Sequence, residues 1–522
     1  MPLVGMEYVF MRLYGLIASS WLLGVVFLPS LPSISHVSVF DDRRLVLVLL
    51  FAVSGTVYLF ARASKTFGSS DSTRVIGFVL SAFLMLGLLS AFRAPVLGYA
   101  LLEWSMFLLV FISVWILRCS PASAFRSGLL YASALSAFLY SLMVLLRVFF
   151  AHSEGQALPL NTHLINHFIN IRYFNQWLSW LLPLLPAAAY LLVPRCRPIF
   201  WRLAVFAALA FLWGLLFHSG GRGTLFALTG AGLVLFLVFG WRARAWLIWQ
   251  LGAALVGAAL AVGTMGASWP WEVGVGLQAN VWSFHDAGRL PLWTASMALI
   301  ADHPWFGIGP MQYAALQFGA MAHPHSFPLQ IAVEWGLTAA LLLFSLLAWL
   351  GWCWVMFVRG RVKNDATPEQ ERAFLVGLTG SLLTAGAHSL VSGVVVTPMS
   401  LAMLVVVVGA ALGQYRAGRA GGEERSRVSP IDRGLNLATR TVVLSVSIWA
   451  AGFTLIEVSN HKYNWDVGGE MAWGGYQPRF WHQGKLVHHL DEPWLAFSRD
   501  GRPLPTETEP APKSPLPQGT RE

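Results

Sequence analysis

The chain has 522 residues, of which 56% are hydrophobic and only 11% are charged, and its formal net charge is +10. About a quarter of the residues are charged in an ordinary soluble protein, so this composition excludes a soluble domain. Apolar stretches of roughly 17–25 residues, the length of a membrane-spanning helix, recur along most of the chain. These stretches are continuous rather than alternating, so an all-α polytopic membrane protein is predicted and a membrane barrel is not.

Thirteen spanning helices are predicted, which gives a bundle of about 12–13 transmembrane helices. In chain order they lie near residues 10–28, 44–61, 75–92, 96–117, 126–150, 176–194, 200–217, 224–240, 245–265, 327–358, 372–391, 399–415 and 439–456. The run at 327–358 is longer than one bilayer thickness, so we expect it to tilt or protrude. No A-x-A cleavage site follows the first span, which is therefore expected to be an anchor.

The basic residues are unevenly divided between the loops, and this division predicts the orientation. Loops after even-numbered spans hold 20 arginines and lysines, whereas loops after odd-numbered spans hold six arginines, at positions 43, 44, 93, 172, 222 and 289. The positive-inside rule places the first set in the cytoplasm. The amino terminus is then cytoplasmic and the chain after about residue 457 is outside. The basic charge reflects this topology, so no nucleic-acid partner is expected.

The domain organisation follows from these spans. Residues 1–457 are predicted to form one transmembrane unit, with a large outer loop at 266–326, and residues 458–522 to form an outer tail. Within the loop, residues 291–302 have a helical pattern that begins with a proline. The tail ends in PTETEPAPKSPLPQGTRE, a composition typical of disorder.

Three lone arginines on the predicted outer side stand next to helix starts. They are Arg172, Arg222 and Arg289. A helix amino terminus favours anions, and arginine adds a forked donor that suits phosphate oxygens. Gly221 and Gly223 flank Arg222 and allow the backbone to approach an anion closely. The pattern predicts a binding site for a membrane-anchored diphosphate. No metal and no cofactor are expected, because the outer loops have no acidic cluster with metal-ligand spacing.

Histidines supply a candidate base near the same surface. His323 and His325 precede the 327–358 span, and a neutral imidazole there is suited to taking a proton from an attacking hydroxyl. The helix-start position favours His325, and the choice between the two stays open. Glu334, two turns into the helix, is expected to orient a histidine or to pair with an arginine. Secondary candidates that either contact the ligand or cap a helix are Asn175 and Gln176. Four other histidines are expected to be loop or interface residues: His218, His285, His303 and His388.

The chain resembles the bacterial O-antigen ligase and polymerase superfamily, which includes the protein O-oligosaccharyltransferases. Four groups of residues carry the resemblance: Arg172 with Asn175-Gln176; Ser219-Gly220-Gly221-Arg222-Gly223; Arg289…Trp293…Asp302-His303-Pro304…Gly307-Ile308-Gly309; and His323-Pro324-His325-Ser326…Leu329…Glu334-Trp335-Gly336. They cover about residues 165–340. The sequence departs from the family pattern at Ser326, where asparagine is common, and at Ala339, where the pattern ends in glycine.

The resemblance implies a GT-C-like helical membrane glycosyltransferase in the bacterial inner membrane, with its active site facing the periplasm. It implies metal-independent, inverting transfer of a glycan from undecaprenyl diphosphate to an acceptor hydroxyl. Carried over to this chain, Arg222 and Arg289 hold the diphosphate, Arg172 assists, and His325 activates the hydroxyl. The implied partners are an undecaprenyl-diphosphate-linked glycan donor, lipid A-core as acceptor, and membrane lipids.

Three alternatives remain open from the sequence. A polymerase would use a growing glycan as acceptor, and a protein O-oligosaccharyltransferase would use a protein. A transporter of lipid-linked glycan would also explain outward arginines and charges within spans. A transporter should carry polar groups through to the inner face. Here the conspicuous polar groups cluster on the outer side, which favours an enzyme.

Overall fold

A computed structural model describes residues 2–31, 38–60, 71–155, 168–191, 197–266, 288–316, 322–419, 430–468 and 480. Within these ranges the regular structure is helical, without strands. The α-helices, in chain order, are α1 (Pro2–Phe27), α2 (Val39–Phe60), α3 (Asp71–Ala91), α4 (Leu97–Arg118), α5 (Ala122–Ser153), α6 (Ile171–Leu181), α7 (Leu185–Ala188), α8 (Pro198–His218), α9 (Arg222–Phe239), α10 (Arg244–Gly266), α11 (Arg289–Asp302), α12 (Phe327–Trp335), α13 (Leu337–Lys363), α14 (Glu369–Ser389), α15 (Pro398–Arg419) and α16 (Pro430–Gly468).

Seven helical stretches in the described ranges are long and apolar enough to cross a membrane. They are Leu97–Arg118, Ala122–Ser153, Pro198–His218, Arg222–Gly263, Leu337–Lys363, Pro398–Arg419 and Thr439–Val458. The stretch from Arg222 counts once, although a 3-10 turn at Gly240–Ala243 divides it into α9 and α10. The all-α, multi-pass class is therefore confirmed. Seven stretches, rather than thirteen, meet this criterion of length and hydropathy.

The span predicted at 176–194 is not one continuous helix. Helix α6 begins earlier, at Ile171, where the side chain of Asn170 caps the backbone N–H of Arg172, and it ends at Leu181. A turn then leads to the four-residue α7. Pro183 and Pro186 explain the break, because a proline inside a helix removes a backbone donor and its ring clashes with the preceding turn. Asn175 and Gln176 thus lie inside α6, and the prediction that they cap the helix is wrong.

The long run predicted at 327–358 is broken rather than tilted. It divides at Gly336 into α12 and α13. Gly336 has φ +90, a left-handed conformation that glycine tolerates, and a side chain there would collide with the backbone of Trp305. The close approach of the 304–309 loop to this break needs a glycine. The backbone N–H of Leu337 donates to the carbonyl of Pro304 at 2.8 Å, which ties the loop to the start of α13.

Two apolar cores hold these elements. The larger joins α1, α2, α4 to α6, α8, α14 and α15. The smaller joins α3, α11, α12 and the start of α13 around the ring of Trp335, which stacks on Phe83 with centroids 4.7 Å apart. The second core fixes α11 and α12 against the bundle, and these two helices carry Arg289 and the residues that follow the paired histidines.

The outer loop and the tail are described in part. The helix predicted at 291–302 is present as α11, which begins two residues earlier at Arg289. Helix α16 continues to Gly468, past the boundary predicted at 457. Phe480 is buried in the larger core. The rest of the tail, including its predicted disordered end, and His285 lie outside the described residues, as do 267–287 and 317–321 of the loop.

Candidate active site

Four separate parts of the chain meet at the end of α14 and the turn that follows it, residues 388–397, which we call the 388–397 segment. Each of the four motif groups recognised in the sequence contacts this segment through at least one residue in or near it. The contacts join residues more than 60 positions apart, so only the fold brings them together.

The first contact comes from α6. The side-chain amide of Gln176 donates from Nε2 to Ser392 Oγ at 2.9 Å, and its Oε1 accepts from Thr397 Oγ1 at 2.7 Å. Gln176 is only 2% exposed. Both ends of the amide are therefore used within the protein, and Gln176 is a structural link between α6 and the segment.

Asn175 joins the first motif group to the second. Its Oδ1 accepts from Ser219 Oγ at 2.8 Å, and its backbone carbonyl accepts from Thr224 Oγ1 at 3.0 Å. A side chain at Gly221 would meet the Asn175 amide nitrogen at 2.6 Å. Gly221 thus makes room for Asn175, whereas the sequence interpretation reserved that space for an anion.

Gly223 makes room for a histidine. A Cβ on Gly223 would lie 2.8 Å from Nε2 of His388, so the imidazole rests against the first turn of α9. Its Nδ1 is 2.8 Å from Ser179 Oγ and 3.4 Å from Thr224 Oγ1. His388 is 5% exposed. It lies next to Arg222, at the amino terminus of α9.

The third motif group contacts the segment from the other side. Arg289, the first residue of α11, donates from Nε to the carbonyl of Val391 at 2.9 Å. It is also close enough to His388 for its charge to act on that ring. One turn later, Trp293 Nε1 donates to the carbonyl of Pro324 at 3.1 Å. Helix α11 therefore connects the segment to the turn that carries the paired histidines.

The two histidines of that turn occupy different environments. The His325 backbone N–H donates to Nδ1 of His323 at 3.2 Å, and the rings are 4.2 Å apart at their centroids. A Cβ on Gly393 would meet the His323 ring at 2.6 Å, so His323 packs on the segment. His325 has φ +54, an unfavourable conformation for a residue with a side chain. Such strained residues cluster at functional sites.

Glu334 contacts the loop backbone. Its Oε1 accepts from the Tyr313 N–H at 3.1 Å, and its carbonyl accepts from Ser90 Oγ at 2.7 Å and from the Gly309 N–H at 3.0 Å. The residue is fully buried. These contacts tie α12 to the 309–313 loop and to α3, and they give Glu334 a role in holding the loop.

Arg172 and Arg222 lie in the first turns of α6 and α9, and both are partly exposed. Among the residues that the structure describes, neither guanidinium has a hydrogen-bond or ion-pair partner. No group of three or more His, Cys, Asp or Glu that could hold a metal ion occurs in the same ranges. The positive charge that the described part of the site offers to an anion comes from arginine.

An apolar cavity of about 1060 Å³ adjoins the segment. It lies between α4, α13, α14 and α15, and it extends along α4 from Glu103 to Arg118, roughly 22 Å at 1.5 Å per residue. Gln330, Ser389 and Val396 line it near the segment. The cavity thus links the site to the interior of the membrane-spanning bundle.

His388 is the residue that the sequence interpretation misjudged, because we expected a loop or interface histidine there. The structure places it between Gly223 and the charge of Arg289. A signal was present in AHSLVSGV, where a histidine, two serines and a glycine interrupt apolar sequence at the predicted outer end of a span. That signal lacks a motif, so only its contacts reveal its importance.

Comparison with known proteins supports one family. Residues 207–344 match the family model described as O-antigen ligase. No protein in the curated set of sequences matches the chain. The matched region begins within α8 and ends within α13, and it includes the Arg222 turn, Arg289 and both histidines of the 323–325 turn. This match supports assignment of the chain to the O-antigen ligase and polymerase superfamily.

Proposed function

We propose that the protein transfers a glycan from undecaprenyl diphosphate to an acceptor hydroxyl, with lipid A-core as the acceptor, on the periplasmic face of the bacterial inner membrane. The observation that carries the proposal is the 388–397 segment, which gathers Arg289, the Arg222 turn and the histidine turn beside an apolar cavity. A site with cationic, basic and apolar parts suits a substrate with a charged head and a long hydrocarbon chain.

The donor diphosphate is proposed to lie at the amino terminus of α9. The first-turn N–H groups of a helix lack intrahelical acceptors and favour an anion. Arg222 extends from that turn with its guanidinium uncommitted among the described residues, and Arg289 approaches from α11. Arg172 assists from the first turn of α6. The polyprenyl chain would then lie against the apolar cavity walls.

His325 is proposed as the base, and the hydrogen bonding of His323 supports this choice. A backbone N–H can only donate, so Nδ1 of His323 accepts from His325 and carries no hydrogen. The His323 ring also packs against Gly393. His323 is thereby used to shape the turn, whereas His325 holds a strained backbone at the start of α12. We propose that His323 positions His325.

The proposed reaction is a single displacement. His325 takes the proton of the acceptor hydroxyl while the acceptor oxygen bonds to the anomeric carbon of the glycan. The bond from that carbon to the phosphate oxygen breaks, and undecaprenyl diphosphate leaves with the bonding electron pair. Attack opposite to the leaving group inverts the configuration. Arg222 and Arg289 stabilise the negative charge that develops on the leaving diphosphate.

Glu334 is proposed as a positioning residue. Its carboxylate holds the Tyr313 N–H of the 309–313 loop, and its carbonyl holds the Gly309 N–H. Gly336, two residues later, needs the same loop nearby. Glu334 therefore acts through the position of α12, at whose start His325 stands.

The test is reconstitution of the full-length protein in lipid nanodiscs with an undecaprenyl-diphosphate-linked glycan and lipid A-core. We expect glycosylated acceptor and released undecaprenyl diphosphate in equal amounts, with turnover unchanged by a metal chelator. His325→Ala should reduce turnover by about 10²–10⁴-fold, the typical contribution of a general base. His152→Ala, which changes an exposed histidine at the end of α5, is the matched control.

Several results would overturn the proposal or its parts. Release of undecaprenyl diphosphate that requires added divalent metal would contradict the arginine site. Full turnover in His325→Ala would remove the base assignment. Lengthening of the glycan on its lipid carrier, without transfer to lipid A-core, would identify a polymerase. Movement of lipid-linked glycan between leaflets without bond formation would identify a transporter.

A further inference from the structure

We propose that His388 binds the donor diphosphate directly, by donating the hydrogen on Nε2 to a phosphate oxygen at the amino terminus of α9. The inference rests on the proposed function, because it adds a ligand to the same diphosphate site. Neither the sequence motifs nor the family match includes His388, since that match ends at residue 344. The argument comes from the contacts of the imidazole.

The Nδ1 side of the ring is committed to the protein. Thr224 Oγ1 donates to the Asn175 carbonyl at 3.0 Å, and Ser179 Oγ lies 3.0 Å from that carbonyl and 2.8 Å from His388 Nδ1. We assign the Ser179 hydrogen to the shorter contact. Nδ1 is then the acceptor, and in a neutral imidazole the ring hydrogen lies on Nε2.

The Nε2 side of the ring faces the start of α9. Nε2 is the atom nearest to the position that a Cβ on Gly223 would occupy. Within the described part of the chain, Nε2 has no hydrogen-bond partner, although the residue is 95% buried by its 5% exposure. A buried polar atom without a partner is costly, so its persistence here indicates a ligand.

Two further features identify an anion as that ligand. The N–H groups of Gly223 and Thr224 belong to the first turn of an 18-residue helix, where backbone donors have no intrahelical acceptor. Arg222 stands in the same turn, and the charge of Arg289 reaches the ring from α11. A donor hydrogen on Nε2 adds to these cations and dipoles, and all of them favour phosphate oxygens.

The Ser179 contact gives His388 a fixed orientation. Ser179 lies one turn after Asn175 on α6, and Asn175 in turn holds Ser219 of the turn before α9. The imidazole is thereby aligned by the same network that shapes the Arg222 turn. A preorganised donor of this kind contributes to binding without the cost of ordering a mobile side chain.

The experiment titrates inorganic pyrophosphate into the full-length protein in nanodiscs, with binding followed by calorimetry. His388→Leu, which removes the donor, should weaken pyrophosphate binding by about 10- to 100-fold, the usual effect of losing a hydrogen bond to a charged group. His388→Gln, whose amide N–H reaches nearly as far as Nε2, should stay within about threefold of the wild type. The thermal unfolding temperature of each variant verifies folding.

A second variant approaches the same atom from the helix. Gly223→Ala adds a methyl group 2.8 Å from Nε2, which should displace the imidazole or block its hydrogen and weaken pyrophosphate binding. The matched control is Gly230→Ala on the same helix, where nothing lies within 4 Å of the added methyl. This control should bind pyrophosphate as the wild type does.

The outcomes separate this inference from the proposed function. If Arg222→Ala and Arg289→Ala lose pyrophosphate binding but both His388 variants keep it, His388 is not a ligand and the diphosphate site stands. If the arginine variants also bind normally, the diphosphate site itself is wrong. Equal loss in His388→Gln and His388→Leu would overturn the role of an N–H donor. Normal binding by His388→Gln with a large fall in its turnover rate would instead make His388 a base.

Discussion

Two pairs of arginines on the predicted outer face have opposite surroundings. Arg43 and Arg44, in the first turns of α2, are 4% and 3% exposed. Arg43 donates to the Pro29 carbonyl at 3.1 Å and lies over the Phe168 ring, whereas Arg44 donates to the carbonyls of Phe480 and Val396. Arg172 and Arg222 are partly exposed, and in the described part of the chain their guanidiniums have no such partner.

The difference separates structural from ligand-binding arginines. A buried guanidinium needs carbonyl oxygens and ring faces to replace its water, and Arg44 has both. Arg44 also fastens Val396 of the 388–397 segment and the tail residue Phe480, so it supports the site from behind. An arginine at a helix start with no partner retains its donors for an anion. The predictions below test this distinction.

Arg289 combines both properties, so its loss should have the largest effect. Arg289→Ala removes a cation from the diphosphate and a hydrogen bond from the Val391 carbonyl. We expect turnover to fall by about 10²–10³-fold or more, together with a lower thermal unfolding temperature. Turnover assays and thermal unfolding on the same preparation measure both. Loss of turnover without any loss of stability would show that the bond to Val391 is not structural.

Arg222→Ala should lower turnover nearly as much, by about 10²–10³-fold, and leave the unfolding temperature unchanged. The reason is that its guanidinium has no partner in the described part of the protein to lose. Arg93→Ala is the control, because Arg93 is an exposed arginine of a predicted outer loop that lies over Phe306. A clear drop in the stability of Arg222→Ala would place Arg222 with the structural arginines.

Arg44→Ala should show the reverse pattern. It leaves the Val396 and Phe480 carbonyls without their donor, at a cost of about 1–3 kcal/mol in the free energy of unfolding. The folded fraction should bind inorganic pyrophosphate with the affinity of the wild type. Denaturant unfolding and calorimetric titration test the two statements. A weakened pyrophosphate affinity at full stability would make Arg44 a ligand and abolish the distinction.

Arg172→Ala should have the smallest effect on turnover. Arg172 lies one turn before Gln176, which binds the far part of the segment, so it assists from the edge of the site. We expect the KM for the donor to rise about tenfold, equivalent to one weak charge-assisted contact, with kcat nearly unchanged. Kinetics at varied donor concentration separate the two constants. A fall in kcat equal to that of Arg222→Ala would give Arg172 an equal share in charge stabilisation.

Much of the local structure followed from the sequence. Continuous apolar runs require helices in a bilayer, because every backbone group must be satisfied within its own segment. The starts of α9 and α12 lie within two residues of the predicted positions, since glycine, serine and proline near helix ends act locally. The breaks at Pro183 and Gly336 were overlooked. Proline signals were masked by high hydropathy, and the glycine is required only because Trp305 approaches it.

The sequence by itself determined the membrane class, the helical runs and the residue types of a diphosphate site, because hydropathy and helix-start chemistry depend on neighbours in the chain. Only the tertiary structure decided which residues share the site. The 388–397 segment, the imidazole of His388 against Gly223, and the contrast between Arg44 and Arg222 depend on partners far away in the sequence. A buried hydrogen bond or a vacant donor is a property of packed surfaces, and those exist only after folding.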